Sequence, residues 1–332
     1  MVFVFTLLIL SVILLSGWSD AAGAVTGCIS VRSLEPEKAM RMAAVCTWVG
    51  SVAITLFGAR IAYTFYSIAD FGSDSHTALI SLCAALFSVI VWSFFTRYIG
   101  IPISETHALL SGMSGAAIAS KMSLSALNLG EWKRIFLGFL LSTLPALFLS
   151  FGFNRILHVL LSRKNRRSVM SYFVRSQRAS AAWNAALHGA QDCQKFMGVY
   201  MLGMALCQGK GVLTPTDIPL SVLFLCASVM AMGTLLGGTH VIKKIGRDMT
   251  EPDAPSYSAA GAASSVVMTL CTFCGLPASI THARACGVIG SAMGKKSGVD
   301  LRVVGELFFV WLLTFPICAL LSFLFSFVMT HV

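Results

Sequence analysis

The chain has 332 residues, of which 56% are hydrophobic and 11% are charged. Because a water-soluble domain carries about 25% charged residues, this composition excludes a soluble globular protein and predicts a chain solvated largely by lipid. The net charge of +10 would suit a nucleic-acid partner in a soluble protein. Here the basic residues lie between apolar runs, so we expect no nucleic acid and interpret them as markers of cytoplasmic loops.

Ten apolar runs follow one another, and their length and lack of period-two alternation predict helices. The runs lie near residues 2–17, 39–66, 77–98, 101–119, 135–153, 181–206, 217–236, 257–274, 276–293 and 303–330. A spanning helix needs about 20 apolar residues, which leaves room for roughly ten crossings. We interpret the first run as a retained membrane helix, because it lacks a preceding basic residue and an A-x-A-like cleavage site.

A basic segment separates the two halves of the chain. From Arg155 to Arg178 it contains seven basic residues and no acidic residue, so the positive-inside rule predicts a cytoplasmic loop. A lipid-binding patch is the alternative. We therefore divide the chain into a first transmembrane repeat at residues 1–154, a linker at 155–180 and a second repeat at 181–332.

The division is supported by an internal repeat. Gly100–Lys121 reads GIPISETHALLSGMSGAAIASK, and Gly275–Lys296 reads GLPASITHARACGVIGSAMGKK. The two align without a gap at a constant offset of 175 residues, as from His107 to His282. Chance similarity between apolar segments would match Leu and Ala, but it would hardly match Pro, Ser, Thr, His and three glycines in register.

A weaker pair of motifs places an aspartate before each long motif. Asp20 follows Trp18 and Ser19, and Asp192 lies within His188–Lys195. Two repeats in one membrane chain are typical of secondary transporters, which bind substrate near the midplane on broken helices. We therefore predict an all-α polytopic membrane protein with two inverted-topology repeats and broken or re-entrant helices.

Each long motif predicts a helix start that could hold an oxyanion. Pro102 and Pro277 suit the first turn of a helix, where free N–H groups and the helix dipole attract anions. The hydroxyl groups that could line the two helix starts belong to Ser104, Thr106, Ser279 and Thr281. Two facing copies would form a donor-rich cage for a tetrahedral oxyanion. The alternative is ordinary hydrogen bonding between helices.

Further polar residues accompany these helix starts. His107 and His282 could donate to the anion, titrate near neutral pH or bond a neighbouring carbonyl. Asp20 and Asp192 lie in or beside apolar segments, where an ionisable residue is a functional candidate by default. A carboxylate cannot bind an anion directly, so we expect these aspartates to bind Na⁺ or carry a proton. The alternative is a helix cap.

The two copies of the long motif differ in charge. Glu105 occupies the position of Ile280, and Arg284 occupies the position of Leu109. We hypothesise that Glu105 and Arg284 pair across the pseudo-two-fold axis, or that Arg284 faces the anion while Glu105 takes a proton. In the alternative, both side chains reach water at a helix end.

These motifs resemble those of the inorganic phosphate transporter family, the PiT-type sodium- or proton-coupled carriers. The family's G-L-P-V-S-T-T-H element is similar to Gly100–His107 and Gly275–His282, and its H-G-A-N-D-x-Q-K element is similar to His188–Lys195. Gly233–Gly238, followed by Val241–Lys243, is another family-like run. The resemblance implies an inverted-repeat helical fold that holds phosphate between the broken helices and binds cations near the Asn-Asp motifs.

The resemblance also implies roles for individual residues. It places Ser104, Thr106, Ser279 and Thr281 against phosphate, and we add His107, His282 and Gln191 as further candidates for the phosphate site. It places Asp20 and Asp192 in cation sites that could hold Na⁺, and we add Ser19 and Glu105 as further candidates for cation coupling. Ser19, Gly23 and Gln191 stand where the family has asparagine, and the smaller number of oxygen ligands makes proton coupling or a related anion more plausible.

We therefore predict a symporter that moves inorganic phosphate across the cell membrane, coupled to Na⁺ or H⁺, by alternating access around a midplane site. The alternative is a permease for sulfate or another oxyanion. A membrane-embedded metal hydrolase is less favoured because the chain lacks zinc-type spacing such as H-E-x-x-H, and a passive channel because channels build filters from oligomeric rings. We expect no enzyme activity, no cofactor beyond the coupling ion, and phosphate, Na⁺ or H⁺ and the lipid bilayer as partners. A homodimer remains open.

Overall fold

The computed structural model describes residues 1–100, 103–161, 165–208, 218–237, 242, 244–251 and 253–331. Within these ranges the chain is helical, without strands, and a single β-bridge joins Ala69 to Leu127. The helices are α1 (Val2–Ser30), α2 (Pro36–Phe57), α3 (Arg60–Tyr66), α4 (Ser75–Ile99), α5 (Glu105–Lys121), α6 (Leu129–Leu161), α7 (Arg166–Gln208), α8 (Leu220–Leu236), α9 (Ala254–Phe273), α10 (Ile280–Lys295) and α11 (Leu301–His331). The predicted all-α class is confirmed.

Five helices are long and apolar enough to cross a membrane, judged by length and composition among the described residues. They are Val2–Ser30, Pro36–Phe57, Ser75–Ile99, Leu129–Leu161 and Leu301–Thr330. In contrast, α5 and α10 have 17 and 16 residues, or about 25 Å at 1.5 Å per residue, which is short of the roughly 30 Å of a bilayer core. These two helices thus form the short arms of two helical hairpins, α4–α5 and α9–α10.

The two short helices lead from the middle of the protein to opposite ends of it. At the first end, Lys121 at the close of α5 donates to Asp70 at 2.6 Å. At the second end, Lys295 near the close of α10 lies 3.6 Å from Asp253. Helix α1 joins the two ends, because its first half packs in the core cluster near the first end and its second half in the cluster near the second.

Each hairpin packs against the last helix of the other half. Helix α5 lies on α11 and α10 lies on α6, while α1 packs on α8 and α2 on α7. Glycine permits the closest approaches: a Cβ atom added to Gly115 would overlap the carbonyl of Ala319, and one added to Gly290 that of Leu147. Small residues at such crossings are typical of membrane helices. This exchange fits the predicted inverted repeat.

Two details of the predicted elements are wrong. The apolar run at 39–66 is not one helix, because Gly58 and Ala59 separate α2 from α3. The described part of the basic segment at 155–180 is almost entirely helical and not a loop, because α6 continues to Leu161 and α7 begins at Arg166. Residues with high helix propensity such as Leu, Arg and Met recur there and support helix. Predicted features outside the described residues involve Pro102, Arg163, Lys164, Gly238, Val241 and Lys243.

Candidate anion and cation site

The two hairpin tips have the same backbone design. Gly100 ends α4 with a φ of 81°, and Gly275 follows α9 with a φ of 69°. This left-handed conformation is costly for residues with a Cβ atom, which explains the glycine in both motifs. After each turn the chain leads to a serine, Ser104 or Ser279, which is the N-cap of α5 or α10.

The expected place of Pro277 is wrong, because this proline does not lie in the first turn of α10. It lies in an extended segment, and the helix begins three residues later at Ile280. Gln191 holds this segment, since its amide donates to the carbonyl of Leu276 at 3.2 Å and accepts from the N–H of Ala278 at 3.1 Å. A further bond joins Gln191 to Thr272. The carboxamide of Gln191 therefore positions the hairpin tip, and its contact with phosphate stays a prediction.

The two helix starts meet in the protein interior. The Oγ atom of Ser104 donates to the Oγ atom of Ser279 at 3.3 Å, and the rings of His107 and His282 lie 4.7 Å apart between centroids. All four side chains are buried. Neither serine hydroxyl caps the backbone of its own helix, and the Oγ atom of Ser279 is also hydrogen-bonded to Nδ1 of His282 at 2.8 Å. The structure thus brings these four predicted residues together.

A buried lysine that the sequence analysis did not select lies beside this junction. The Nζ atom of Lys195 donates to Asp192 Oδ1 at 2.5 Å, to the carbonyl of Ala278 at 2.6 Å and to Thr106 Oγ1 at 2.8 Å. The side chain is 1% exposed. Its signal in the sequence was a positive charge within an apolar helix, three residues after a candidate aspartate.

The two predicted aspartates also come together. Asp20, His188 and Asp192 each offer a ligand atom, and these atoms lie within 4.8 Å of one another. His188 Nε2 lies 3.1 Å from Asp192 Oδ2, and Thr281 donates to Asp20 Oδ1 at 2.9 Å. Carboxylate and hydroxyl oxygens suit a hard cation, so this cluster has the chemistry to hold one directly beside the second helix start.

Glu105 lies in a polar network at the start of α5. Ser93 donates to its Oε2 atom at 2.8 Å, and Ser19 donates to its Oε1 atom at 3.1 Å. Arg97 in turn donates to Ser19 at 2.6 Å and stacks over Trp18, with its Cζ atom 3.4 Å from the ring centroid. Sequence analysis missed Arg97 and Trp18, because nothing in the one-dimensional pattern aligned them with Glu105.

The hypothesis that Glu105 pairs with Arg284 is wrong. Glu105 faces Ser93 on α4 and Ser19 on α1, whereas Arg284 lies against Gly27 and Tyr257. The alternative that both side chains reach water is also wrong, since they are 1% and 2% exposed. The two positions lie on helices that leave the junction in opposite directions, so their side chains diverge.

A cavity of about 610 Å³ opens beside the tip of the second hairpin. Its lining includes Arg60, Arg134, Gly275 and Leu276. Arg60 forms no ion pair with a described residue, and Arg134 lies 3.4 Å from Glu131. Because low-dielectric walls strengthen the field of such charges, this vestibule can concentrate anions next to the hairpin tip.

Comparison with known proteins identifies the family of this chain. The model of the phosphate transporter family matches residues 16–322. The chain is 30% identical over 319 residues to the "probable low-affinity inorganic phosphate transporter" of Bacillus subtilis (strain 168), which covers 96% of this chain and 94% of that protein. The Mycobacterium leprae (strain TN) protein of the same description is 30% identical over 303 residues, or 91% of this chain and 72% of its own.

A solved structure described as "the sodium-dependent phosphate transporter" has the same fold. It aligns with a TM-score of 0.84 over 100% of this chain and 99% of its own, at 18% sequence identity. Several helices of this chain are apolar enough to span a bilayer, and the family match covers nearly its whole length. The chain is therefore an integral membrane protein of the phosphate transporter family, a transporter and not an enzyme.

Proposed function

We propose that this chain carries inorganic phosphate across the cell membrane as a cation-coupled symporter, with the anion held between the two hairpin tips. The observation that carries the proposal is the contact between Ser104 and Ser279. It joins two buried helix N-termini whose hydroxyl groups are not used as caps.

The chemistry of the junction suits a tetrahedral oxyanion. Each helix N-terminus offers unpaired N–H groups and about half a positive charge. The ammonium of Lys195 adds a full positive charge at Thr106, on the first turn of α5. Because Ser104 and Ser279 now bond each other, phosphate enters by separating them and accepts both hydroxyl hydrogens. The vestibule with Arg60 and Arg134 is the proposed entrance.

The neighbouring acids provide the proposed coupling site. One ammonium group, that of Lys195, lies beside the two aspartates. It donates a hydrogen bond to Asp192. A further cation bound at this cluster neutralises Asp20 and also attracts phosphate to the adjacent helix start. We propose that Na⁺ binds between Asp20 and Asp192. In the alternative, the coupling ion is a proton, and Glu105 carries it.

The directions of the short helices support alternating access. Helix α5 leads from the junction to the first end of the protein and α10 leads to the second. We propose that movement of each hairpin against the last helix of the other half opens the junction to one end at a time. In this proposal the basic segment from Arg155 to Arg178 lies on the cytoplasmic side.

The test of the anion site is uptake of labelled phosphate into proteoliposomes under an imposed Na⁺ or proton gradient. A hydrogen bond to a charged group contributes about 1.5–3 kcal/mol, or at least a factor of ten. The double substitution Ser104→Ala with Ser279→Ala should therefore lower uptake at least about 100-fold. The matched control is Ser11→Ala with Ser67→Ala, whose hydroxyls bond carbonyls of their own helices. Absence of phosphate uptake under both gradients contradicts the proposal. Uptake of sulfate without uptake of phosphate would identify sulfate as the substrate.

A second experiment separates the two coupling ions. If Na⁺ is coupled, Asp20→Asn should abolish the response to a Na⁺ gradient while Glu105→Gln retains it. If a proton is coupled, Glu105→Gln should abolish the response to a pH gradient yet keep exchange of phosphate for phosphate. Glu37→Gln is the control, since that side chain is 76% exposed. Retention of both responses in both variants would exclude the acids as coupling groups.

A further inference from the structure

Arg284 is a buried cation that the proposed carrier site does not use. It lies on α10, one turn beyond Thr281, and it is 2% exposed. The equivalent position of the first repeat holds Leu109, which is also buried. The charge is therefore a property of the second repeat alone and is not needed to build the hairpin.

Among the described residues the guanidinium has no counter-ion. Its Nε and Nη1 atoms have no hydrogen-bond partner among the residues that the structure describes. Across the same described ranges, no carboxylate oxygen lies within 4.0 Å of it; the interacting groups nearby are the side chains of Cys28 and Tyr257. A buried charge without a partner is strongly unfavourable, so the conformation described here leaves Arg284 with an unmet demand for an anion.

The helices around the guanidinium place small, uncharged residues against it. A Cβ atom added to Gly27 on α1 would lie 3.2 Å from Nη2, and one added to Gly261 on α9 would lie 3.1 Å from Nη1. The same added atom at Gly261 would lie 2.6 Å from the hydroxyl oxygen of Ser180 on α7, so this hydroxyl lies on the same side of Gly261 as the guanidinium. A guanidinium presents a planar fork of N–H donors that matches phosphate oxygens in pairs. None of these three neighbours carries an anionic group that would neutralise the fork.

Arg284 lies on α10 between the proposed site and the second end of the protein. Along α10 it lies five residues beyond Ser279, about 7.5 Å toward the second end of the protein. We propose that Arg284 is a second oxyanion site, a relay that receives phosphate from the junction of Ser104 and Ser279 and passes it to the second end. This inference rests on the proposed phosphate transport.

The relay also biases the conformational cycle. With no anion present, burial of Arg284 disfavours the closed arrangement of α1, α7 and α9 around it. Phosphate that leaves the junction and binds the guanidinium neutralises the charge and therefore favours the closed arrangement, in which Cys28 is protected. A ligand shifts a conformational equilibrium only through its different affinity for the two states. Arg284 makes the affinity for phosphate differ between the closed and the separated arrangement at the second end.

Native cysteines allow a test on the full chain in proteoliposomes. Cys28 follows Gly27 and is 1% exposed, Cys274 is exposed, and Cys318 is fully buried in a different core cluster. A membrane-permeant maleimide labels the thiols with and without inorganic phosphate, and peptide mass spectrometry gives the rate at each cysteine. We expect phosphate to slow labelling of Cys28 at least fivefold and to leave Cys274 unchanged.

Variants assign this protection to Arg284. Arg284→Leu should reduce the protection of Cys28 to less than twofold and lower phosphate uptake at least tenfold, while labelled phosphate still binds in equilibrium dialysis. Arg284→Lys should keep part of both effects. Cys318 reports folding, because it should stay unlabelled; if it reacts in Arg284→Leu, Arg284→Gln replaces that variant.

The outcomes separate the relay from the transport proposal. Failure of phosphate to bind the wild-type chain would refute the proposed function. Phosphate binding with equal protection of Cys28 in the wild-type chain and in Arg284→Leu would overturn the relay alone. The relay is also overturned if Cys28 never reacts while the wild-type chain transports phosphate, because the surroundings of Arg284 would then never open to water.

Discussion

Substitution of Lys195 by methionine tests whether the buried ammonium stabilises the junction. Methionine keeps most of the apolar stem but removes the group that donates to Asp192, Ala278 and Thr106. The side chain is 1% exposed, so water cannot replace these bonds. Removing one partner of a buried ion pair costs about 3–5 kcal/mol, and Lys195→Met should lower the free energy of unfolding by this amount.

The expected change in melting temperature follows from the size of the chain. The entropy of unfolding is about 2.1 cal/mol/K per residue, or roughly 0.7 kcal/mol/K for a chain of 332 residues. The loss therefore corresponds to a decrease in Tm of about 4–7 °C. Thermal unfolding of the purified protein in detergent measures it, with all variants scanned at one rate because irreversible unfolding makes Tm depend on the scan rate.

A matched pair on the surface provides the control. Lys38 and Glu35 have the same spacing of three residues as Lys195 and Asp192 and lie 2.9 Å apart, but they are 67% and 71% exposed. Exposed pairs contribute about 0–1 kcal/mol, so Lys38→Met should change Tm by about 1 °C or less. Adding Asp192→Asn to Lys195→Met should recover part of the loss, because the carboxylate left unpaired by the first substitution is then removed. Equal melting temperatures for Lys195→Met and Lys38→Met would refute this account of the junction.

Two further predictions concern packing and pH. Gly115→Ala and Gly290→Ala should each lower the free energy of unfolding by about 1–3 kcal/mol through overpacking. Gly152→Ala, whose Cβ meets no atom within 4 Å, should instead raise it by up to about 1 kcal/mol. Comparable shifts in Tm for all three variants would contradict the close helix contacts. The hydrogen bond from Lys121 lowers the pKa of Asp70 below its ordinary value of 3.8, so the pair stabilises the folded chain above that pH and its contribution disappears as the pH falls through the lowered pKa. The side chains of Lys121 and Asp70 are 30% and 64% exposed, so Asp70→Asn should lower the free energy of unfolding by no more than about 1 kcal/mol at neutral pH, with a smaller effect in high salt. A larger loss at acidic than at neutral pH would contradict the expected pH dependence.

Repetition in the sequence was sufficient to predict which residues meet at the junction. Ser104 and Ser279 occupy equivalent positions in two copies of one motif, and the substrate sites of such transporters lie at the interface between the repeats. The same reasoning applies to His107 and His282. It required no knowledge of side-chain directions, because the expected site contains the same motif from both halves.

Charges that break the repeat were not predictable in this way. Glu105 and Arg284 differ from their counterparts, so the symmetry says nothing about their partners, and the face of each helix that packs inward decided their surroundings. Lys195 was missed for a related reason. Its stem crosses from α7 to Thr106 on α5, and the reach of a long side chain between helices leaves no period in the sequence.

The packing of each hairpin on the last helix of the other half also orders events during synthesis. Helix α10 emerges after α6, so the surface that receives it is already in the membrane. Helix α5 emerges long before α11 (Leu301–His331), which supplies the surface against which it rests. The first hairpin therefore forms its contact with α11 only after that helix has been translated and inserted. Until then, the surface of α5 that packs on α11 lacks its partner in the native contact.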